Sequence, residues 1–231
     1  MILVLKCWTS CRQSNLRAFL AVVGPSGCGK SSLVRTGLLP GLESGFLAAA
    51  SGHWRIAELR PGTQPMTRLA EALYHNLMLA ESEFAKAPSE EAKETIALLQ
   101  SQLWGGPYSL HDILNQSPVP DNTSLLLLVD QFEEIFRYYQ QGDKNEAATF
   151  VKLLLASSEH AQIYIVITMR SDFLGDCSTF YGLPEAVNQG LYLTPRLTRD
   201  QLSEAIELPA GVFGDEVEPA LLNRLLNDAS S

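Results

Sequence analysis

The sequence predicts an α/β fold of three layers, in which helices cover both faces of a mostly parallel central sheet. Residues 125–129 and 163–169 are continuous apolar runs of strand length, which is typical of strands buried on both faces. Segments with helical apolar spacing alternate with these runs along the chain. Such alternation indicates parallel strands that are joined by crossover helices.

Length and composition favour one main domain. The chain has 231 residues, of which 46% are hydrophobic and 19% charged, as in ordinary globular proteins. We divide it into an N-terminal helical lead-in (1–18), a core (19–196) and the start of a C-terminal helical appendage (197–231).

The elements can be assigned in order. The predicted strands are residues 19–23, 53–59, 125–129, 163–169 and 191–193. The predicted helices run from the glycine-rich loop to about residue 39, and over residues 65–80, 89–103, 109–115, 131–140, 144–158, 198–208 and 216–227. Proline should end two of them, at Pro40 and Pro209. We predict the sheet order 2-3-4-1-5, which puts a site at the carboxyl ends of the strands.

Residues 24–31 match the Walker A pattern Gly-x-x-x-x-Gly-Lys-Ser, between an apolar strand and a helix. Glycines let successive backbone N–H groups turn towards phosphate oxygens. Lys30 is predicted to reach the β- and γ-phosphates, and the Ser31 hydroxyl to bind Mg²⁺. We therefore predict the fold of a P-loop NTPase that binds a nucleoside triphosphate with Mg²⁺. The predicted nucleotide-binding residues are Gly24, Pro25, Ser26, Gly27, Cys28, Gly29, Lys30, Ser31 and Ser32.

The apolar run 125–129 ends at Asp130, which matches the Walker B pattern. A carboxylate at this position orders Mg²⁺ in P-loop NTPases, so Asp130 joins Ser31 as a predicted metal residue. Glu133 and Glu134 follow, and one of them is expected to polarise the attacking water. We favour Glu134, while the other would interact with the helix N-terminus.

Arg170 directly follows the apolar run 163–169. A guanidinium at the end of that strand can distinguish a triphosphate from a diphosphate by bidentate contact. The alternative is a structural ion pair with Asp172 or Asp176. The predicted catalytic residues are thus Lys30, Glu133, Glu134 and Arg170.

The remaining composition argues against several classes. A net charge of −9 gives no long-range attraction to nucleic acid or to anionic membranes. No apolar run is long enough to span a bilayer, and residues 2–5 are too short for a secretory signal. Cys7 and Cys11 lack further metal-ligand partners nearby, so we expect thiols in a reducing, cytoplasmic setting.

The motifs together resemble the novel STAND NTPases, a signalling branch of P-loop ATPases. The resemblance covers about residues 17–228 and is carried by 22–35 and 37–40, by 54–62, by Leu127-Leu128-Val129-Asp130-Gln131-Phe132-Glu133-Glu134-Ile135-Phe136, by Thr168-Met169-Arg170-Ser171-Asp172-Phe173, and by 193–197 and 204–210. It implies an ATP-driven switch that self-associates or acts on partner domains. A Gly-Arg segment typical of the family is not seen before Phe19, and its adenine-closing element is expected past Ser231.

The first functional hypothesis is therefore ATP binding with slow hydrolysis, coupled to oligomerisation or effector release. The second is a module that binds nucleotide and a protein partner without turnover, since Gln131 follows Asp130 where many ATPases have Glu. A small-molecule kinase is disfavoured because no acceptor pocket or lid motif is recognisable. GTP is disfavoured because the sequence lacks Asn-Lys-x-Asp.

Overall fold

The computed structural model describes residues 18–43, 53–78, 90–120, 122–195, 197–212 and 214–229. The predicted N-terminal lead-in lies outside these residues except for Ala18. The chain forms two compact units, which meet in sequence between Thr194 and Pro195. Within the described residues, no helix has the length and apolarity needed to cross a membrane.

The first unit is built on five parallel strands in the order β2-β3-β4-β1-β5, which confirms the predicted fold and strand order. The strands are β1 (Phe19–Gly24), β2 (His53–Leu59), β3 (Thr123–Val129), β4 (Ile163–Arg170) and β5 (Leu191–Leu193). All carboxyl ends therefore lie at one edge of the sheet.

Both faces of the sheet are buried, as the continuous apolar runs predict. Along β3, Leu125, Leu127 and Val129 belong to one hydrophobic cluster, whereas Leu126 and Leu128 belong to a second. This division follows from the two-residue period of a strand. The seven residues of β3 are all buried, and the five that follow Thr123 and Ser124 are apolar.

The helices alternate with the strands. In chain order they are α1 (Lys30–Ser32), a π-helical stretch (Leu33–Leu38), α2 (Leu39–Glu43), α3 (Pro65–Leu73), a second π-helical stretch (Tyr74–Met78), α4 (Glu90–Leu103), α5 (Ser109–Gln116), α6 (Glu134–Gln141), α7 (Lys144–Ser157), α8 (Leu183–Gln189), α9 (Arg199–Val212) and α10 (Pro219–Ala229). Two 3₁₀ turns, Ser171–Phe173 and Gly175–Thr179, follow β4. Neither these turns nor α8 was predicted.

Two helices do not end at the predicted prolines. Pro40 lies inside α2, where the flanking Leu38 and Leu42 are buried in the second cluster. Burial of these side chains outweighs the helix-breaking tendency of one proline, and the preceding π-helical stretch already departs from regular bonding. Pro209 similarly lies within α9.

The helix after β3 also begins later than predicted, at Glu134 rather than Gln131. Gln131 has a φ of 56°, the left-handed conformation that ends the strand in a sharp turn. This turn is stabilised by hydrogen bonds from the Gln131 N–H to Thr168 Oγ1 (3.0 Å) and from the Phe132 N–H to the Thr168 carbonyl (2.9 Å).

Gly190 connects α8 to β5 at a point of close backbone approach. A Cβ atom built there would overlap the carbonyl oxygen of Phe19 on β1. The Gly190 carbonyl also accepts from the Ala21 N–H at 2.8 Å, so the segment cannot move away without losing a hydrogen bond.

We therefore predict that Gly190→Ala lowers the free energy of unfolding by about 3 kcal/mol, because a side chain would have to displace backbone. Gly175→Ala is the matched control, since a Cβ at Gly175 meets no atom within 4 Å. Urea denaturation followed by circular dichroism measures both variants. Equal stability of the two would contradict this account.

Candidate functional site

The glycine-rich loop links β1 to α1 at the carboxyl edge of the sheet. Gly27 and Gly29 have φ values of 76° and 85°, a conformation that glycine adopts without strain. Gly24 has no room for a side chain, because a Cβ there would lie 2.7 Å from Cys28 Sγ and 3.1 Å from Thr194. The loop thus requires glycine for conformation at two positions and for space at a third.

Lys30 is the first residue of α1, and its ammonium group folds back over the loop. Its Nζ donates to the carbonyl oxygens of Gly24 (3.0 Å) and Pro25 (2.7 Å), and lies 3.9 Å from Cys28 Sγ. These partners are neutral, so the positive charge of Lys30 remains available to an anion in the loop.

The structure brings Asp130 and Ser31 together, although 99 positions separate them in the chain. Ser31 Oγ donates to Asp130 Oδ1 at 2.6 Å, and Thr168 Oγ1 donates to the same oxygen at 2.7 Å. Asp130 follows β3, and Thr168 is close to the end of β4, so the parallel sheet places them side by side. The two residues predicted to bind the metal are thus in direct contact.

Two arginines contact the other oxygen of Asp130. Arg35 Nη2 lies 3.1 Å from Asp130 Oδ2, and Arg60 donates from Nε and Nη2 at 3.3 and 3.2 Å. Arg35 also pairs with Glu58 through Nη2 and, at 2.8 Å, through Nε. The Asp130 side chain is only 1% exposed, and each of its oxygens accepts at least two hydrogen bonds.

These contacts determine the charge state of Asp130. Burial by itself would raise the pKa of this carboxyl group, but the hydrogen bonds from Ser31 and Thr168 and the charge of Arg35 favour the carboxylate. Their combined effect holds the pKa of Asp130 below its ordinary value of 3.8. Asp130 is therefore ionised at neutral pH.

The two glutamates after β3 occupy different environments. Glu133 is 8% exposed, lines the cleft above the loop, and accepts from the Arg170 N–H at 3.3 Å. Glu134 accepts instead from the Gly62 N–H at 2.9 Å and is not part of that lining. The structure thus brings Glu133 to the cleft and directs Glu134, the residue that we favoured from sequence, towards the turn after β2.

Arg170 ends β4 beside Gly24 of β1 and lines the same cleft. Its Nη2 pairs with Asp172, which was the structural alternative for this residue. Its Nε is buried and has no hydrogen-bond partner among the described residues. The ion pair occupies one part of the guanidinium, and the contact with a γ-phosphate stays a prediction.

The cleft has a volume of about 480 Å³ and is mainly polar. It is lined by Ser26, Gly27, Gly29, Lys30, Ser31, Ser32, Gln131, Glu133, Arg137, Thr168 and Arg170. Most of the predicted loop residues are in this set. Pro25 contributes a carbonyl to Lys30, and Cys28 lies against Gly24.

The residues present fit a magnesium ion that is bound together with phosphate. Ser31 Oγ and Asp130 Oδ1 are oxygen donors of the kind that Mg²⁺ prefers. In the described part of the chain, no group of three or more His, Cys, Asp or Glu side chains could hold a metal by itself. A metal here would thus need oxygens from phosphate and water, which is the usual situation for Mg²⁺.

Several residues of the site were not predicted: Arg35, Arg60, Gln131, Arg137 and Thr168. Signals for two of them were present in the sequence. Arg35 lies four positions after Ser31, so both share a helix face. Arg60 follows β2, the predicted neighbour of the strand that ends at Asp130.

A family model described as Novel STAND NTPase 1 matches residues 3–231, which confirms the resemblance seen in the motifs. No curated protein sequence matches the chain. The structure of the Aeropyrum pernix ORC2 protein in ADPNP-ADP complexes is similar at a TM-score of 0.55 and 14% identity, over 90% of this chain and 50% of that one. Its ADP form gives a TM-score of 0.56 and 12% identity, with coverage of 90% and 50%.

CDC6P from Pyrobaculum aerophilum gives a TM-score of 0.48 and 12% identity, over 96% of this chain and 52% of that one. The chain therefore spans about half the length of these three solved structures. At these identities, the likeness to ORC2 is one of fold.

We predict that Asp130→Asn lowers the free energy of unfolding by roughly 2 kcal/mol at pH 7, because Arg35 and Arg60 lose their buried carboxylate. Because the pKa of Asp130 is lower in the folded chain than in the unfolded chain, its carboxylate stabilises the fold at pH values above the ordinary carboxyl pKa. This stabilisation is lost as the pH falls below that value. The difference between wild type and variant should therefore shrink below about pH 3.8. Denaturant titrations across pH measure it, with the 66% exposed Asp112 changed to Asn as control. The same pH dependence in both variants would contradict the prediction.

Proposed function

We propose that this chain, which belongs to the novel STAND NTPase 1 family, binds Mg·ATP and hydrolyses it slowly as a signalling switch. In this proposal, nucleotide state controls self-association or the release of a partner domain. The residue roles proposed below rest on the geometry of the cleft.

The observation that carries the proposal is the 2.6 Å contact between Ser31 Oγ and Asp130 Oδ1. It unites the glycine-rich loop with the carboxylate after β3 at one end of the cleft. A magnesium ion bound to a triphosphate requires oxygen ligands and a nearby positive charge. The Ser31 hydroxyl and the ionised Asp130 would supply the oxygens, and the Lys30 ammonium group would supply the charge.

Lys30 would exchange its two loop carbonyls for the β- and γ-phosphates. Ser31 and Asp130 would hold Mg²⁺, and when bound the ion would neutralise charge between the phosphates. Gly27 and Gly29 already have the positive φ values that allow backbone amides of such a loop to turn towards phosphate.

For hydrolysis we propose Glu133 as the residue that orients the attacking water. Its carboxylate lines the cleft and is oriented by the Arg170 N–H. Glu134 would have a structural role, because it accepts from Gly62. Arg170 would contact the γ-phosphate through the side of its guanidinium that does not face Asp172.

The contacts of Asp130 offer a route from the nucleotide to the surrounding fold. Arg60 joins Asp130 to the turn after β2, and Glu134 holds the same turn at Gly62. A metal that draws on the Asp130 carboxylate would compete with Arg60 and Arg35 for its charge. We propose that this competition makes the β2 turn sensitive to nucleotide state.

The ORC2 structures support the nucleotide class, since they are an ADPNP-ADP complex and an ADP form of that protein. One observation favours the second hypothesis, a module that binds without turnover. Gln131 places an amide in the cleft lining directly after Asp130, where an ATPase with Glu would have a carboxylate. The two functions differ in turnover and not in binding.

We predict that Glu133→Gln retains nucleotide binding and lowers single-turnover hydrolysis of ATP about 100-fold, the effect of removing a general base. Glu134→Gln should hydrolyse at close to the wild-type rate and serves as the matched control. Lys30→Ala should lose nucleotide affinity. Rapid-quench measurement with radiolabelled ATP gives the rates.

Three other results would change the proposal. Unimpaired hydrolysis by Glu133→Gln would exclude that residue from the reaction. Tight binding by the wild type without any turnover would favour the second function. Undiminished affinity in Lys30→Ala would exclude the cleft as the nucleotide site.

A further inference from the structure

Two arginines of the cleft share one aromatic ring. The Arg137 guanidinium carbon lies 5.7 Å from the centroid of the Phe173 ring, and that of Arg170 lies 5.8 Å from it. Both distances are within the range of cation–π attraction. Arg137 belongs to α6 and Phe173 to the 3₁₀ turn after β4, so two separate segments bring the guanidinium groups together.

The Phe173 ring is itself held in place. It stacks on Phe136 with a centroid distance of 6.1 Å and an interplanar angle of 8°. Phe136 is 3% exposed and belongs to the same hydrophobic cluster as Leu125 of β3. The ring therefore forms a firm support for both arginines. A guanidinium resting on such a support loses less conformational entropy when it binds a ligand.

The two arginines differ in how their charges are compensated. Arg170 pairs with Asp172. Arg137 has no carboxylate or other hydrogen-bond partner among the residues that the structure describes, and its observed contact is the Phe173 ring. Arg137 thus carries an uncompensated charge into the cleft.

The charges of the cleft lining are Lys30, Arg137, Arg170 and Glu133. Asp172 offsets Arg170, whereas Lys30 bonds only to neutral groups. A polar cleft with this excess of positive charge, in a chain of net charge −9, attracts an anion.

We infer that Arg137 is a specificity-determining residue that binds the terminal phosphate of the nucleotide and so separates triphosphate from diphosphate. This inference rests on the proposed function and deepens it. Lys30 lies over the loop and would bind the β-phosphate, which both nucleotides have, as well as the γ-phosphate. Arg137 lies one helical turn beyond Glu133, the residue proposed to orient water at the γ-phosphate, and both line the cleft. Arg137 would therefore lie on the γ-phosphate side of a bound triphosphate. Its planar donors match phosphate oxygens bidentately.

The test measures the affinities of the full chain for Mg·AMP-PNP and for Mg·ADP by isothermal titration calorimetry. Arg137→Gln should weaken AMP-PNP binding about tenfold, the effect of one lost charge-assisted contact. Its affinity for ADP should change less than twofold. Arg137→Lys should recover only part of the AMP-PNP affinity, because an ammonium group lacks the bidentate fork.

Arg68→Gln is the matched control, since Arg68 forms a pair with Glu71 on α3 and lies outside the cleft lining. Phe173→Leu should reduce AMP-PNP affinity with that for ADP retained, and circular dichroism checks that it folds. If Arg137→Gln lowered the affinities for AMP-PNP and ADP equally, or lowered neither, the inference would be overturned. The proposed function would still stand in that case, provided that nucleotide binding depends on Lys30. Absence of nucleotide binding by the wild-type chain would overturn both.

Discussion

The structure of the site depends on one buried carboxylate. Three segments of the chain converge on Asp130: the helical segment after the glycine-rich loop through Ser31 and Arg35, the turn after β2 through Arg60, and the end of β4 through Thr168. A buried charge is costly unless it is paired and hydrogen-bonded. Because Asp130 has donors on both oxygens, the same contacts that offset this cost also fix the relative positions of the segments that form the cleft.

The sheet makes this convergence possible. In the order β2-β3-β4-β1-β5, the strand that ends at Asp130 lies between the strands that end at Leu59 and Arg170. All strands are parallel, so every one of these ends faces the same edge. The cleft therefore needs no unusual backbone apart from the glycines of the loop and the left-handed turn at Gln131.

The sequence was sufficient for the parts of the structure that depend on local pattern or on strand order. Strands buried on both faces favour continuous apolar runs, so β3 and β4 were recognisable, and the Walker motifs then located Ser31 and Asp130 at one edge. Side-chain directions were not predictable. Glu133 and Glu134 are adjacent and chemically identical, and their separation depends on the Gln131 turn, which sets the angle at which the chain leaves β3.

Long-range packing explains the other differences. Pro40 lies within α2 because Leu38 and Leu42 on either side of it are buried against the sheet, which a local rule for proline does not consider. The contacts of Arg60 with Asp130 and of Arg137 with Phe173 likewise join residues that are far apart in the chain. The strand order brings these residues near one another. It does not predict which of several nearby charged side chains will form a pair.

The central claim is that Ser31 and Asp130 act in one site for a metal bound to a triphosphate. Electron paramagnetic resonance titration of Mn²⁺, in the presence of AMP-PNP, tests it most directly. Ser31→Ala and Asp130→Asn should each weaken Mn²⁺ binding about tenfold or more. The double variant should bind Mn²⁺ only slightly more weakly than the single variant with the lower affinity, because the effects of mutations at contacting residues of one site do not add. Mn²⁺ affinity unchanged in either single variant, or losses that simply add, would contradict the account.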